Sequence, residues 1–499
     1  MATEAMPSPG LEPATRLKAH AIGLPGATMQ AVATIAPAIA ALFFTQYVVS
    51  LTGVTAPLAY VLGVCIVLML GSTLVQLSKH MSSAGGYYTF VSRALTPRVG
   101  FMTAWMYVFY NPVIAGPIYA YFGFLLQQQL KSHYGINASY LWWLTLIVGA
   151  PFVAFLAWRG LALSVKVLIG LGLTEMAIVF SLAMSGFISP GPGGFNFTSW
   201  VPSHSLSAEG FALAVVFSLQ GLTGWEAAAP LAEETSNPRR NVPRATMIAI
   251  IGLGIFLVLM YWGQIIGWGT NILTGTSPNA LVNAPALPGL IIAERVWGGG
   301  WVFVLAAMFS STLAVCQACN NVSTRIWFKM GETGTLPAWF GKVHPEHKTP
   351  TNAIIANLVL SIAVGLGLGF GFGADRSYFL SNGLVLIIAV TYIYISANVG
   401  VFFYYLIQRR SEFNLWLHFI LPIISSSLLV YVLIKSFQPY PAFPFYLAPI
   451  IDGIWFVVGV GILLYLWMSK KDQWIGKLGE AAIESDNIPA IAEDIPTGA

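Results

Sequence analysis

The chain has 499 residues, of which 57% are hydrophobic and 8% charged, with a mean hydropathy of +0.74. Soluble domains carry about 25% charged residues, so 23 Lys+Arg and 19 Asp+Glu cannot solvate a surface of this size, and the expected solvent is a bilayer. The net charge of +4, with basic residues placed at the ends of apolar runs, disfavours nucleic acid as a partner.

Residues 1–22 read as a polar N-terminal tail without the apolar core of a cleavable signal peptide, so the first crossing is expected to act as its own insertion signal. Crossing a ~30 Å hydrocarbon core takes about 20 apolar residues. Twelve stretches qualify, at about 25–49, 56–79, 99–130, 140–158, 163–188, 208–231, 245–269, 297–325, 352–372, 378–407, 414–436 and 445–468. Nineteen of the 23 Lys and Arg fall in the N-terminal tail, the even-numbered loops and the C-terminal tail. The other loops hold only Lys131, Arg295, Arg376 and Lys435. Positive charge gathers on the cytoplasmic side, which predicts a multi-pass protein of the cytoplasmic membrane with both termini inside. The polar stretch 470–499 is too short of apolar residues to bury a core and reads as a disordered tail.

Five positions along these spans interrupt the apolar pattern. In the first, Thr34-Ile35-Ala36-Pro37-Ala38 sets a proline in mid-membrane, removing a donor and crowding the preceding turn. Tyr110-Asn111-Pro112 interrupts the third. In the fifth, Glu175 stands alone in the apolar run 167–185, where an ionised carboxylate costs at least ~2.5 kcal/mol unless paired, cation-bound or protonated. It is either a proton carrier or cation ligand, or a structural acid bonded to a neighbouring helix. The sixth span places two glycines and an acid in Gln220-Gly221-Leu222-Thr223-Gly224-Trp225-Glu226. Glu226 then begins a second half-helix, where the dipole favours negative charge, as a cap or a proton site. In the eighth, Ser310, Ser311 and Thr312 offer hydroxyls to a hard cation near Glu175, or serve helix packing.

Of the three cysteines, Cys65, Cys316 and Cys319, none suits a disulfide scaffold. The Cys316-Gln317-Ala318-Cys319 spacing lacks a second pair of soft ligands, so no metal is expected there. Gly365, Gly369 and Gly373 mark a close-packing face. At the cytoplasmic mouth, Arg93, Glu233, Glu234, Arg239, Arg240 and Arg244 form either a gate of ion pairs or ordinary interfacial anchors.

The breaks at Pro37 and at Gly221/Gly224 lie five spans apart. Transporters interrupt helices at corresponding places in two repeated halves so that freed backbone groups meet the ligand, whereas isolated Pro and Gly only kink a helix. The spacing predicts two five-helix halves of opposite orientation, about 23–190 and 205–410, with two further helices over 414–469, all within one transport domain, 23–469.

Residues 217–246 read FSLQGLTGWEAAAPLAEETSNPRRNVPRAT. This resembles the signature of amino acid/polyamine/organocation (APC) permeases, in which a G-F-E is followed by A-E-E, N-P-x-R and P-R-A. Here these are Gly224-Trp225-Glu226, Ala232-Glu233-Glu234, Asn237-Pro238-Arg239-Arg240 and Pro243-Arg244-Ala245. Ser83-Ala84-Gly85-Gly86-Tyr87-Tyr88 is similar to the family's A-G-G-x-Y segment, and Gly331-Glu332-Thr333-Gly334-Thr335-Leu336-Pro337 to its A-R-D-G-x-L-P turn.

The resemblance implies an all-α LeuT-type fold and secondary active transport of amino acids or related small amines by proton- or sodium-coupled symport. Exchange on the same scaffold is the alternative, and a permease-derived sensor or channel a remote one. No enzymatic activity and no cofactor are implied, only a coupling ion, H+ or Na+. A substrate α-carboxylate is expected against N–H groups of the unwound first helix, and its ammonium against freed carbonyls. The implied substrate-binding residues are Thr34, Ile35, Ala36, Pro37, Ala38, Tyr110, Asn111, Gln220, Gly221, Thr223, Gly224, Trp225, Cys319 and Asn320. Three departures bear on substrate and coupling. Pro37-Ala38-Ile39 replaces a glycine-rich stretch, Gln220 stands where some relatives place a gating aromatic, and Glu175 is the acid nearest a fifth-span lysine of certain proton-coupled relatives.

Overall fold

The structure is a computed structural model, and it describes residues 17–276, 286–438, 440–469 and 474, without the side chains of 110, 111, 216, 275 and 276. The C-terminal tail expected over 470–499 otherwise lies outside the described residues.

Sixteen α-helices follow in chain order: α1 Leu24–Ile35, α2 Pro37–Thr52, α3 Ala56–Ser78, α4 Tyr87–Ala94, α5 Pro97–Tyr134, α6 Leu141–Arg159, α7 Leu161–Ile188, α8 Ala208–Gln220, α9 Pro238–Trp268, α10 Pro288–Trp297, α11 Val302–Thr333, α12 Thr351–Phe372, α13 Ala374–Tyr378, α14 Leu386–Phe403, α15 Leu421–Ser436 and α16 Ala448–Met468. A 3-10 helix, Trp225–Glu234, follows α8, and a π-helical turn, Phe379–Val385, joins α13 to α14. Among the described residues, strand-like pairing is limited to a single parallel bridge between Ile22 and Thr235.

Local sequence sets the helix ends. Proline occupies the first turn of α1, α2, α3 and α9, where a missing N–H costs nothing. Thr96 and Ser207 cap α5 and α8 by accepting from Val99 N–H and Gly210 N–H.

Among the described residues, eleven helical runs are long and apolar enough to cross a membrane. The first, Leu24–Ser78, has 55 residues, roughly 80 Å of helix and enough for two crossings. Gly53, at φ +64, ends α2 and turns the chain into α3. The last two runs bury the smallest shares of their apolar windows, 28% and 17%, so α15 and α16 lie at the periphery. The glycines of α12 pack tightly: a Cβ on Gly365 would lie 2.6 Å from Leu146 Cδ2 and 3.0 Å from Gly116 Cα. Close approach of small residues is how helices adhere in lipid.

Candidate functional site

The first span is two helices. Ala36 adopts φ +58, ψ 73, between the end of α1 and the start of α2 at Pro37. The sixth span breaks as well. Helix α8 stops at Gln220, the chain turns through Gly221 to Gly224, and Gly224 at φ +115 leads into the 3-10 helix. The two breaks touch, since a Cβ on Gly224 would lie 2.7 Å from Thr34 Cγ2 and 2.9 Å from the Thr34 carbonyl oxygen.

Beside them is a small cavity of about 50 Å³, lined by Thr34, Ile35, Ala36, Ile39, Gln220, Thr223, Cys319, Tyr378 and Asn382 among others. A vestibule of about 650 Å³ lies next to it, reaching toward the face that carries Asp375, Arg376 and Lys435. Phe44, Gln220, Tyr378 and Asn382 line both spaces and form the partition between them. Gln220 is the most constrained of the four: its Nε2 donates to the Gly383 carbonyl at 2.7 Å, which leaves Oε1 buried without a partner.

Of the residues singled out from the sequence, Thr34, Ile35, Ala36, Gln220, Thr223 and Cys319 line the cavity. Pro37 and Ala38 open α2 on the side turned toward α7, and the Ala38 N–H donates to Glu175 Oε2 at 2.9 Å. Gly221 packs against the Tyr60 hydroxyl, and Gly224 against Thr34. Trp225 is buried against Tyr394, with ring centroids 5.2 Å apart. Asn320 belongs elsewhere: its Oδ1 accepts from Asn357 Nδ2 of α12, and it lines a separate cleft with Tyr119 and Ser361. Backbone at Tyr110 and Asn111 is part of α5, and their side chains lie outside the described residues.

Both intramembrane acids are buried beside the breaks. Glu175, on α7, is fully buried; its Oε2 takes the Ala38 N–H while its Oε1 has no hydrogen-bond partner. The nearby Ser311 hydroxyl accepts from the Ile39 N–H at 3.3 Å. Ser310 turns away and donates to the Leu171 carbonyl, while Thr312 is buried in α11. Glu226 accepts from Tyr107 Oη at 3.3 Å and Tyr394 Oη at 2.9 Å. Neither acid lines the cavity.

The face opposite the vestibule is closed by ion pairs. Glu234 and Arg325 pair at 2.8 Å with side chains 1% and 0% exposed. Lys329 bridges Glu233 at 3.1 Å and Glu332 at 2.7 Å, and Glu233 also accepts from the Ala84 N–H. The Ile22 N–H donates to the Glu234 carbonyl, and the Ser236 N–H to the Ile22 carbonyl, lashing the start of the chain to the 3-10 helix. Arg93 and Arg239 are half-buried at the ends of α4 and α9. Sequence reasoning thus found the acids of this closure and missed their cationic partners, because Arg325 sits at the edge of an apolar span and resembles an interfacial anchor. Tyr378 and Asn382 were also missed, although Ser381-Asn382-Gly383 in mid-span was a readable polar interruption.

A polar core ties α1 to its neighbours. Asn321 Nδ2 donates to Gln30 Oε1, Gln317 Nε2 to Ser164 Oγ, and Gln30 Nε2 to the Ala318 carbonyl. Gln317 is thereby committed to α7 and not to the cavity.

The sequence profile of the family described as amino acid permease matches residues 26–480. The chain belongs to that family. The permease is 26% identical to the low-affinity putrescine importer PlaP of Escherichia coli K12, over 63% of its own length and 68% of the relative's. To the branched-chain amino acid permease BcaP of Bacillus subtilis it is 24% identical, over 54% and 57%. To the serine/threonine exchanger SteT of the same organism it is 23% identical, over 71% and 75%. The match to an uncharacterized transporter of Rhizobium meliloti spans 58% of that protein, little more than half its length. The permease is therefore a multi-pass integral membrane protein of a transport family.

Proposed function

We propose that the chain is a secondary active transporter that moves amino acids or related small amines across the cytoplasmic membrane by alternating access, coupled to H+ or Na+. The observation that carries this reading is the cavity at which two interrupted helices meet, with a vestibule on one side and a buried ion-pair closure on the other. With positive charge inside, the vestibule faces outward and the Glu234–Arg325 closure faces the cytoplasm, an outward-facing arrangement with both termini inside. The touching breaks suit two inverted halves, 23–190 and 205–410, that rock about the cavity, with 414–469 at the edge.

Glu175 is the coupling residue in this reading. It sits at the joint of α1 and α2, where gain or loss of a proton, or exchange of the Ala38 donor for a cation, changes how the joint is held. Glu226 is a second acid at the other break. The alternative of exchange is favoured by the match to SteT, itself an exchanger.

In proteoliposomes, substrate uptake should saturate and should rise when a pH or sodium gradient is imposed. Glu175→Gln should lower gradient-driven uptake about tenfold while counterflow of substrate for substrate is largely kept. Equal loss of both modes removes the coupling role. Absence of saturable flux for every amino acid and amine tried removes the transporter reading.

A further inference from the structure

We propose that the central cavity selects a small primary monoamine, one ammonium on an apolar body, over a zwitterionic amino acid or a diamine. The inference rests on the transporter reading and narrows its substrate class.

A zwitterion needs donors for its carboxylate, and in a site built from broken helices those donors are the free N–H groups at half-helix N-termini. At α2 the protein has already used them: Pro37 has no N–H, Ala38 donates to Glu175, Ile39 donates to Ser311, and Ala40 donates to the Ala36 carbonyl at 2.8 Å. At the 3-10 helix, Glu226 stands in the first turn, where its carboxylate accepts from the Tyr107 and Tyr394 hydroxyls, and the Ala227 N–H donates to the Gly224 carbonyl. Each half-helix thus begins beside a resident carboxylate, with which a substrate carboxylate would have to compete.

What the broken helices leave at the cavity is main-chain acceptors. Helices α1 and α8 both end there, carbonyl end first, which gives the wall partial negative charge. Among the described residues no backbone N–H reaches the Thr34 or Ile35 carbonyl. Gln220, 6% exposed, presents an Oε1 without a donor, and its amide is fixed in that sense because Nε2 must face the Gly383 carbonyl. A buried acceptor left unpaired is costly, and an ammonium brings three donors. Of the other polar lining groups, Thr34 and Thr223 donate their hydroxyls to the Gln30 and Leu219 carbonyls and Asn382 Nδ2 donates to Ser381 Oγ, while Tyr378 and Cys319 complete the polar lining beside the apolar Ile39, Ile114, Ile118, Val315 and Leu386. Among the described residues no Asp, Glu, Lys or Arg lines the cavity, so the second ammonium of a diamine would be buried without a charged partner.

Three compounds separate these classes on one carbon skeleton. n-Butylamine carries the ammonium alone, L-norvaline adds a carboxylate to it, and putrescine adds a second ammonium. Thermal stabilisation of the purified protein measures their affinities. n-Butylamine should raise Tm saturably, at concentrations about tenfold or more below those needed for the other two. Gln220→Leu should weaken n-butylamine about tenfold. Glu175→Ala, which frees the Ala38 N–H, should shift the preference about fivefold or more toward norvaline. Residual n-butylamine binding reports that each variant is folded, and if Gln220→Leu does not fold, the wild-type ranking and Glu175→Ala decide. Norvaline or putrescine binding as tightly as n-butylamine overturns the proposal and leaves the transporter reading standing. An unchanged norvaline preference in Glu175→Ala overturns it too. No stabilisation by any of the three, together with no saturable flux of any amine or amino acid, overturns both.

Discussion

Arg325→Ala should open the cytoplasmic side of the protein and abolish net uptake. Arg325 and Glu234 are both sealed from solvent, and removing one member of such a pair leaves the other charge buried alone, at a cost of about 3–5 kcal/mol. The stranded Glu234 can be relieved by taking up a proton or by water reaching it, and the second route separates α11 from the 3-10 helix. Cys319 is a natural reporter, because it lines the cavity above this closure. In a background with Cys65→Ala and Cys316→Ala, which leaves Cys319 as the one thiol, an impermeant maleimide applied from the Arg325 face should label Arg325→Ala far faster than the parent, and Tm should fall. Replacing both partners, Glu234→Met with Arg325→Met, removes the stranded charge and should recover most of the lost Tm. Equal labelling in the parent and in Arg325→Ala would show that the pair is not a gate.

Gly224→Ala should be as damaging by a different route. At φ +115 an L side chain is strained by about 1–3 kcal/mol. The added methyl would also meet Thr34 Cγ2 at 2.7 Å and the Thr34 backbone at 2.9 Å, an overpacking cost of about 1–3 kcal/mol. The neighbour is the main chain at the end of α1, which cannot rotate aside. Relief would have to come from parting the two breaks, and with them the cavity wall. Uptake should drop more than about tenfold, whereas Gly252→Ala on α9, with no heavy atom within 4 Å of the new Cβ, should be neutral. Near-normal uptake by Gly224→Ala would mean that contact between the breaks is not needed for transport.

The breaks were legible in the sequence because they are local events: Pro37 and Gly224 disturb the chain wherever they stand. The acids were legible too, since a lone carboxylate in an apolar run stands out whatever surrounds it. Their partners were not. That Glu175 meets Ala38 and Ser311, and Glu226 meets Tyr107 and Tyr394, depends on how α7, α11, α5 and α14 pack, which periodicity does not encode. For the same reason the first-helix N–H groups were assigned to a substrate carboxylate when Glu175 and Ser311 already hold them. Asn320 is drawn away from the cavity by Asn357 of α12, a partnership between distant helices that the local pattern does not carry.

Ala36 is not a glycine, and that alters the mechanics of the first span. An L-residue at φ +58 is disfavoured by roughly 1–2 kcal/mol against its right-handed form, yet the following proline also bars Ala36 from the ordinary helical region. What is left to a residue before proline is the extended region, and Ala36 is not in it. The angle between α1 and α2 is therefore imposed by the helices packed around the joint and not by the joint itself, so loosening that packing should let the first span relax toward a straighter, extended link.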